Sequence, residues 1–301
     1  MKSILVLMST YNGEKYIEQQ IDSILKQQLV KVYLFIRDDG SSDKTIEIIE
    51  KYEKKYDNIK LMCGENLNWM NSFWHLVNCA KGCDYYAFSD QDDIWDDDKL
   101  IKAVNMLQKY KDIPAIYCAN QRIVNDKMEI VNTTEERVNI DKFENQDFLV
   151  RGNLFRGCTE VWNNALQEYV LNLGIKDIDE PHDAFLMLIC LCVGNVVKDN
   201  SDVMSYCQHG DNAMGLKTRV NSFKYIINNI MGKKRYRKPI STRIKKVNKY
   251  VYKDIKPELK PYVKQICEYD LNYYNTIRLA FTTKYPNITK KKRVQILTRR
   301  F

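Results

Sequence analysis

Residues 85–93 read Tyr85-Tyr86-Ala87-Phe88-Ser89-Asp90-Gln91-Asp92-Asp93: a short apolar run that breaks into three carboxylates. Such a run, bounded by polar residues, has the composition of a buried strand. Its carboxyl end then carries the acidic cluster. Two earlier stretches are built the same way. Residues 3–8 are apolar and branched and stop at Ser9-Thr10-Tyr11-Asn12. Residues 32–36 stop at Arg37-Asp38-Asp39-Gly40-Ser41-Ser42-Asp43.

Helical periodicity fills the gaps between these strands. Ile17, Ile21, Ile24 and Leu25 mark one helix, and Ile46, Ile48, Ile49 and Tyr52 mark another over 45–56. Further helices are predicted over 70–80 and 99–110, with a third strand at 59–62. Strands alternating with helices indicate an α/β domain with a mainly parallel sheet. In such sheets ligands bind beyond the carboxyl ends of the strands. Residues 113–215 are less regular; a strand is predicted at 115–119, and helices at 163–173 and 184–192. Beyond 216 the pattern becomes amphipathic: Leu216, Val220, Phe223, Ile227 and Ile230 share one face, and Tyr262, Ile266, Tyr269, Tyr273 and Ile277 another. The expected organisation is an α/β domain over 1–215, with halves at 1–110 and 111–215, followed by a basic helical region over 216–301.

The chain has 301 residues, 45% hydrophobic and 29% charged, which is the composition of a folded domain with a substantial core. No run approaches the roughly 18 apolar residues of a spanning helix. The first residues lack a long apolar segment and a small-residue cleavage site, so they do not read as a signal peptide. Nine cysteines with no Cys-x-x-Cys pair argue against a zinc ribbon or disulfide scaffold and suit reduced thiols in the cytoplasm. The net charge of +8 is unevenly placed: residues 216–301 hold 24 lysines and arginines against four acidic residues, and the rest holds 23 against 35. A basic region of that kind suits a polyanion.

Clustered carboxylates repel and are costly to desolvate. A divalent cation offsets that cost, and Mg²⁺ or Mn²⁺ in such sites keeps oxygen ligands and bridges substrate phosphates. Asp90-x-Asp92 is therefore a candidate metal–diphosphate site. The first turn carries no Gly-x-Gly-x-x-Gly, so a dinucleotide site is not supported, and no Gly-x-Ser-x-Gly nucleophile elbow is present.

The three strand-end clusters in order, with Trp95 and Lys99-Leu100 after the last, resemble the family 2 nucleotide-sugar glycosyltransferases of the GT-A fold. Arg151-Gly152-Asn153, Gly157-Cys158-Thr159, Pro181-His182-Asp183 and Tyr206-Cys207-Gln208-His209-Gly210-Asp211-Asn212 are similar to the bacterial rhamnosyltransferase-like branch, although that branch often carries Arg where Cys207 stands. The resemblance implies that Thr10, Tyr11 and Asn12 hold the nucleotide base and that Asp39 accepts its imide N–H. It implies that Asp92, with Asp90, holds Mg²⁺ or Mn²⁺ against the donor diphosphate, that Trp95 stacks on the donor and that His209 closes over it. His182 would lie at the acceptor, and Asp183 aligns with the base. The implied reaction is an inverting transfer, with dTDP-L-rhamnose as donor or a UDP-hexose in its place. The implied acceptor is a glycan or lipid-linked glycan of bacterial surface polysaccharide. The chain lacks the Gln-x-x-Arg-Trp of processive synthases. The basic region would meet an anionic membrane surface at the inner face of the cell membrane, or form a homodimer; nothing in the acidic part supports nucleic acid as a partner.

Overall fold

The computed structural model describes residues 1–125, 127–131, 143–152, 155–176, 178–209, 239–285, 287–298 and 301. Asn153, the Gly210-Asp211-Asn212 end of one motif and the apolar face expected over 216–230 lie outside the described residues.

The core of the fold is one eight-stranded sheet. Its strands are β1 (Lys2–Thr10), β2 (Val30–Asp38), β3 (Ile59–Cys63), β4 (Tyr85–Ser89), β5 (Ile94–Trp95), β6 (Ala115–Val124), β7 (Val161–Asn163) and β8 (Asn195–Cys207), in the spatial order β3-β2-β1-β4-β7-β6-β8-β5. β1 is parallel to β2 and β4, and β2 to β3; β7 runs antiparallel between β4 and β6. The register aligns Thr10 with Asp38 and Met8 with Ser89. The three polar clusters foreseen at the strand ends therefore lie along one edge of the sheet.

Every residue of β4 is buried, which explains its unbroken apolar run. β8 was not foreseen. Its middle reads Lys198-Asp199-Asn200-Ser201-Asp202, and there its pairing with β6 shifts register at Cys118/Asn120 and again at Asn120/Arg122. Polar residues suit such bulges but hide the strand from a hydrophobic pattern. Tyr117 donates its hydroxyl to Asp199 at 2.7 Å across this irregularity.

Helices α1 (Ile17–Leu25), α2 (Thr45–Lys55) and α4 (Lys99–Leu107) cover one face; α3 (Asn68–Cys79), α6 (Asn164–Asn172) and α7 (His182–Val193) cover the other, with α5 (Asn145–Arg151) at its side. Among the described residues four more helices follow: α8 (Ile240–Val251), α9 (Lys260–Glu268), α10 (Tyr273–Ala280) and α11 (Lys290–Leu297). Their apolar stripes are buried in the same cluster as α7: Ile244, Val247, Val251, Ile266, Leu279 and Ile296 join Phe185 and Leu188. The stripe foreseen from Tyr262 to Ile277 is divided. The chain turns after α9, and Asn272 caps α10 by accepting a bond from Asn275 N at 2.8 Å. That break resets the helical phase, so Ile266 and Tyr269 are buried while Tyr273 and Ile277 face out.

Candidate active site

The site is built from the loops beyond β1, β2 and β4 and from the start of α7. After β1 the chain bends through Asn12, whose φ is 48°. Asn12 accepts a bond from Ser42 N at 2.8 Å, and its own N–H donates to Ser41 Oγ at 2.9 Å. Thr10 is buried and donates its hydroxyl to Asp38 Oδ2 at 3.0 Å. Of the three residues implied to hold a base, Thr10 and Asn12 spend these groups inside the protein, and Tyr11 is exposed. Gln91, not singled out from sequence, locks this loop to the acidic one: Tyr11 N donates to Gln91 Oε1 at 2.9 Å, and Gln91 Nε2 donates to Tyr11 O at 3.1 Å.

The two aspartates after β2 divide their work. Asp38 accepts from the backbone N–H groups of Gly40 and Ser41 and from the Ser41 hydroxyl, which shapes the turn. Gly40 there has a φ of +86°, a conformation that favours glycine. Asp39 is buried and ion-paired with Arg37 through Oδ1, which also accepts from Leu67 N at 2.8 Å. Arg37 in turn donates to Ser72 Oγ at 3.1 Å and to Glu65 O at 2.9 Å. Among the described residues both side-chain bonds to Asp39 fall on Oδ1.

Asp90, Asp92 and Asp183 converge. Burial, then the charges of Asp92 and Asp183, push the Asp90 carboxyl up to about 7; the nearby Arg156 guanidinium acts the other way. Arg156 lies 4.3 Å over the Tyr206 ring. Sequence reasoning passed over Arg156, although it lies inside the segment between Arg151 and Gly157. His209 Nε2 lies 2.9 Å from Asp92 Oδ2, and its ring stacks on Tyr16 with centroids 4.2 Å apart.

Asp183 occupies the first turn of α7 and is partly exposed, with Oδ1 accepting from Ala184 N at 2.7 Å. It packs against the 3₁₀ turn Gly157–Thr159: a Cβ added at Gly157 would lie 2.9 Å from Asp183 Cβ and 3.1 Å from His182 Nε2. Only glycine allows that approach.

Two residues differ from what the resemblance implied. Trp95 is 2% exposed, and Lys99 Nζ lies 3.1 Å from the centre of its ring. A buried ring already covered by an ammonium group offers no face to a sugar; Trp95 supports the acidic loop from behind. His182 is also buried, stacked on Phe73 with centroids 3.9 Å apart and edge-on to Phe88 at 4.4 Å. Burial pushes its pKa down to about 4, so this ring braces the start of α7 and does not face out toward an acceptor as expected.

Among the described residues one group of possible metal ligands lies close together. Asp90, Asp93 and Cys158 place ligand atoms within 4.8 Å of one another. In this set burial pushes both the Asp93 carboxyl and the Cys158 thiol well up, and the buried Lys99 amine, itself pushed down to about 7 by burial, donates to Cys158 O at 2.5 Å. Asp92 repels the Asp90 carboxylate and lies beside His209, so this loop gathers oxygen donors and unbalanced negative charge. That donor chemistry fits Mg²⁺ or Mn²⁺.

The acidic cluster thus lies at the carboxyl edge of the sheet, and comparison with known proteins identifies the family. The Glycosyl transferase family 2 model matches residues 5–163. The dTDP-rhamnosyl transferase RfbG of Shigella flexneri is 28% identical over 251 residues, 78% of this chain and 82% of the relative. An uncharacterized glycosyltransferase of Haemophilus influenzae is 38% identical over 112 residues, 36% of this chain and 44% of that protein. Among solved structures, S. aureus TarS 1–349 in complex with UDP-GlcNAc superposes with a TM-score of 0.60 at 17% identity, over 99% of this chain and 79% of that one. The mannosyltransferase PcManGT from Pyrobaculum calidifontis, in complex with GDP-Man and Mn²⁺, gives 0.57 at 15% identity, over 98% and 74%. A GT-A sheet, three strand-end clusters in order and a family match over more than half the sequence lead to one conclusion: this chain is a glycosyltransferase and belongs to glycosyl transferase family 2.

Proposed function

We propose that the protein transfers a sugar, with inversion, from a pyrimidine nucleotide donor to a glycan or lipid-linked acceptor, and that the transfer depends on Mg²⁺ or Mn²⁺. The observation that carries this reading is the convergence of Asp90, Asp92 and Asp183 at the end of β4 and the start of α7. RfbG, named as a dTDP-rhamnosyl transferase and similar over most of both chains, supports dTDP-L-rhamnose as donor. A UDP-hexose is the second reading, favoured by the TarS complex with UDP-GlcNAc. An Asp39 carboxylate accepting an imide N–H serves thymine and uracil alike.

The acceptor hydroxyl is a weak acid. Asp183, partly open to solvent and fixed by the start of α7, takes its proton as the new bond to the anomeric carbon forms. Asp39 Oδ2 fixes the base while Oδ1 is held by Arg37 and Leu67 N. Arg156, beside Asp90, faces the charge that gathers on the leaving nucleoside diphosphate. Asp92, with Asp90, would hold a divalent cation here, and that cation would further stabilise the leaving charge. One carboxylate on the acceptor side implies single displacement.

In this reading the protein works in bacterial surface polysaccharide assembly, on the cytoplasmic side of the membrane, with its basic region toward anionic lipid. Among the described residues no helix is long and apolar enough to cross a membrane. The test offers dTDP-rhamnose, UDP-glucose, UDP-galactose and UDP-N-acetylglucosamine to purified protein with Mn²⁺ or EDTA. Released nucleoside diphosphate and binding of dTDP and UDP are read together. Metal-dependent release from one donor, lost in Asp92→Asn and in Asp183→Asn, establishes the reaction. Binding of neither nucleotide overturns it.

A further inference from the structure

The C-terminal helices bury one apolar face and leave another in solvent. On α10, Thr276, Leu279 and Ala280 are buried against the neighbouring helices. Away from that face lie Tyr274 at 72% exposure, Ile277 at 52% and Phe281 at 65%, and Tyr273 at the first turn is 74% exposed. Tyr274, Ile277 and Phe281 are spaced i, i+3 and i+7, so they line one side of the helix. Leu271 precedes them at 71%, and Val294 on the adjacent α11 is 58% exposed. Scattered exposed apolar residues are ordinary; a contiguous stripe is not.

Its surroundings are basic. Residues 271–301 carry eight lysines and arginines and no acidic residue. Arg278, Lys284, Lys290 and Lys291 are exposed. The nearest preceding carboxylates are engaged: Asp270 with Lys245 at 2.7 Å and Glu268 with Lys264 at 3.9 Å.

We propose that the α10 stripe is a membrane-docking surface whose aromatic and aliphatic side chains enter the headgroup region of an anionic bilayer while the surrounding lysines and arginines contact its phosphates. Tyrosines belong at that depth because one end of the ring is apolar and the other is wet. Basic residues near an anionic leaflet add electrostatic attraction. The same charge opposes the alternatives. A second copy docking through this face would bring two strongly basic surfaces together. A nucleic acid would use the basic side chains and stack on tyrosines, but Leu271, Ile277 and Val294 have no role in stacking. The surface also differs from a free basic tail: the inward faces of these helices belong to the core, so only one side of α10 is available.

The test uses the full chain with Tyr274→Ser, Ile277→Ser and Phe281→Ser combined, positions whose exposure leaves the core intact. Tyr252→Ser, at an exposed tyrosine outside α10, is the control. Sedimentation is measured with phosphatidylglycerol-rich and with pure phosphatidylcholine vesicles, at low and high salt. Circular dichroism confirms folding. The expected result is binding of the parent protein to the anionic vesicles only, weakened by salt, at least tenfold weaker in the triple variant and unchanged in the control. Equal vesicle binding by parent and triple variant overturns the proposal. So does absence of vesicle binding, whether light scattering then shows a dimer dissolved by the triple variant or a single-stranded oligonucleotide binds instead. Neither donor nor acceptor enters the readout, so its failure is separate from failure of the proposed transfer reaction.

Discussion

Gly157 brings the two halves of the site into contact, and its missing side chain is the reason. Gly157→Ala places a methyl 2.9 Å from Asp183 Cβ and 3.1 Å from His182 Nε2. His182 is wedged against Phe73 and Phe88, so the Asp183 side must yield. The expected outcome is a kcat reduced by about 10²-fold with nucleotide affinity unchanged, because misplacement of a reacting group by about 1 Å costs that much. Steady-state kinetics with calorimetric dTDP and UDP titrations check both halves. Asp183→Asn keeps the shape and removes the proposed base, so it is expected to lower kcat by about 10²–10⁴-fold and leave nucleotide binding intact. Asp39, Asp90 and Asp92 were legible because strand-end positions are marked by the change from apolar to polar sequence, whereas Asp183, at a helix start, was singled out only by the family resemblance. Gln91, Arg37 and Arg156 were not legible, because their roles depend on what lies opposite in space. Gln91, for instance, meets a partner 80 positions earlier in the chain. Trp95 misled for the same reason: an aromatic near an acidic loop is read the same way whether its ring faces solvent or Lys99.

At the scale of elements, the entry to α7 is fixed from the C-terminal side. Glu180 is fully buried; Arg243 Nε on α8 donates to its Oε2 at 2.9 Å, and Lys246 Nζ lies 3.0 Å from its Oε1. The Glu180 carbonyl also accepts from Trp74 Nε1 on α3 at 3.0 Å. Breaking a buried ion pair by removing one partner typically costs about 3–5 kcal/mol. Because Lys246 remains, Arg243→Met is expected near the lower end, about 3 kcal/mol, read as a shifted urea midpoint. Glu180 lies three residues before Asp183, so kcat is expected to fall together with stability, while nucleotide binding changes little. An unchanged midpoint would show that the pair contributes nothing. The alternating strands and helices of the first 110 residues were plain in the sequence because each follows a single period. β7 and β8 were not: one is three residues long, and the other carries its polar residues through bulges.

At the scale of the molecule, the charge division along the chain does not correspond to a division of the core. Ile244, Val251, Ile266 and Leu279 lie in one cluster with Phe185, Leu188 and Trp162. Removing residues 240–301 would expose that face of α7, each large apolar side chain losing about 1.5–3 kcal/mol of burial. A chain ending at residue 239 is therefore expected to aggregate or to lose near-ultraviolet circular dichroism. The full chain is expected to unfold in one calorimetric transition. Two separated transitions, or a well-folded truncated chain, would contradict this. The sequence disclosed a basic helical region; what its apolar stripes pack against was hidden, because a buried and a membrane-facing stripe have the same period.

The Arg37–Asp39 pair has a consequence for descent as well as for recognition. An exposed residue that reads a base can drift, and the enzyme can acquire a new nucleotide by one substitution. Here the carboxylate assigned to the base is also the counter-charge of an arginine that is 4% exposed. Replacing Asp39 alone would strand that cation in the interior, so a lineage could exchange its pyrimidine donor for another nucleotide only by changing both residues together. If Asp39 reads the base as proposed, nucleotide choice is tied to the packing of the fold itself.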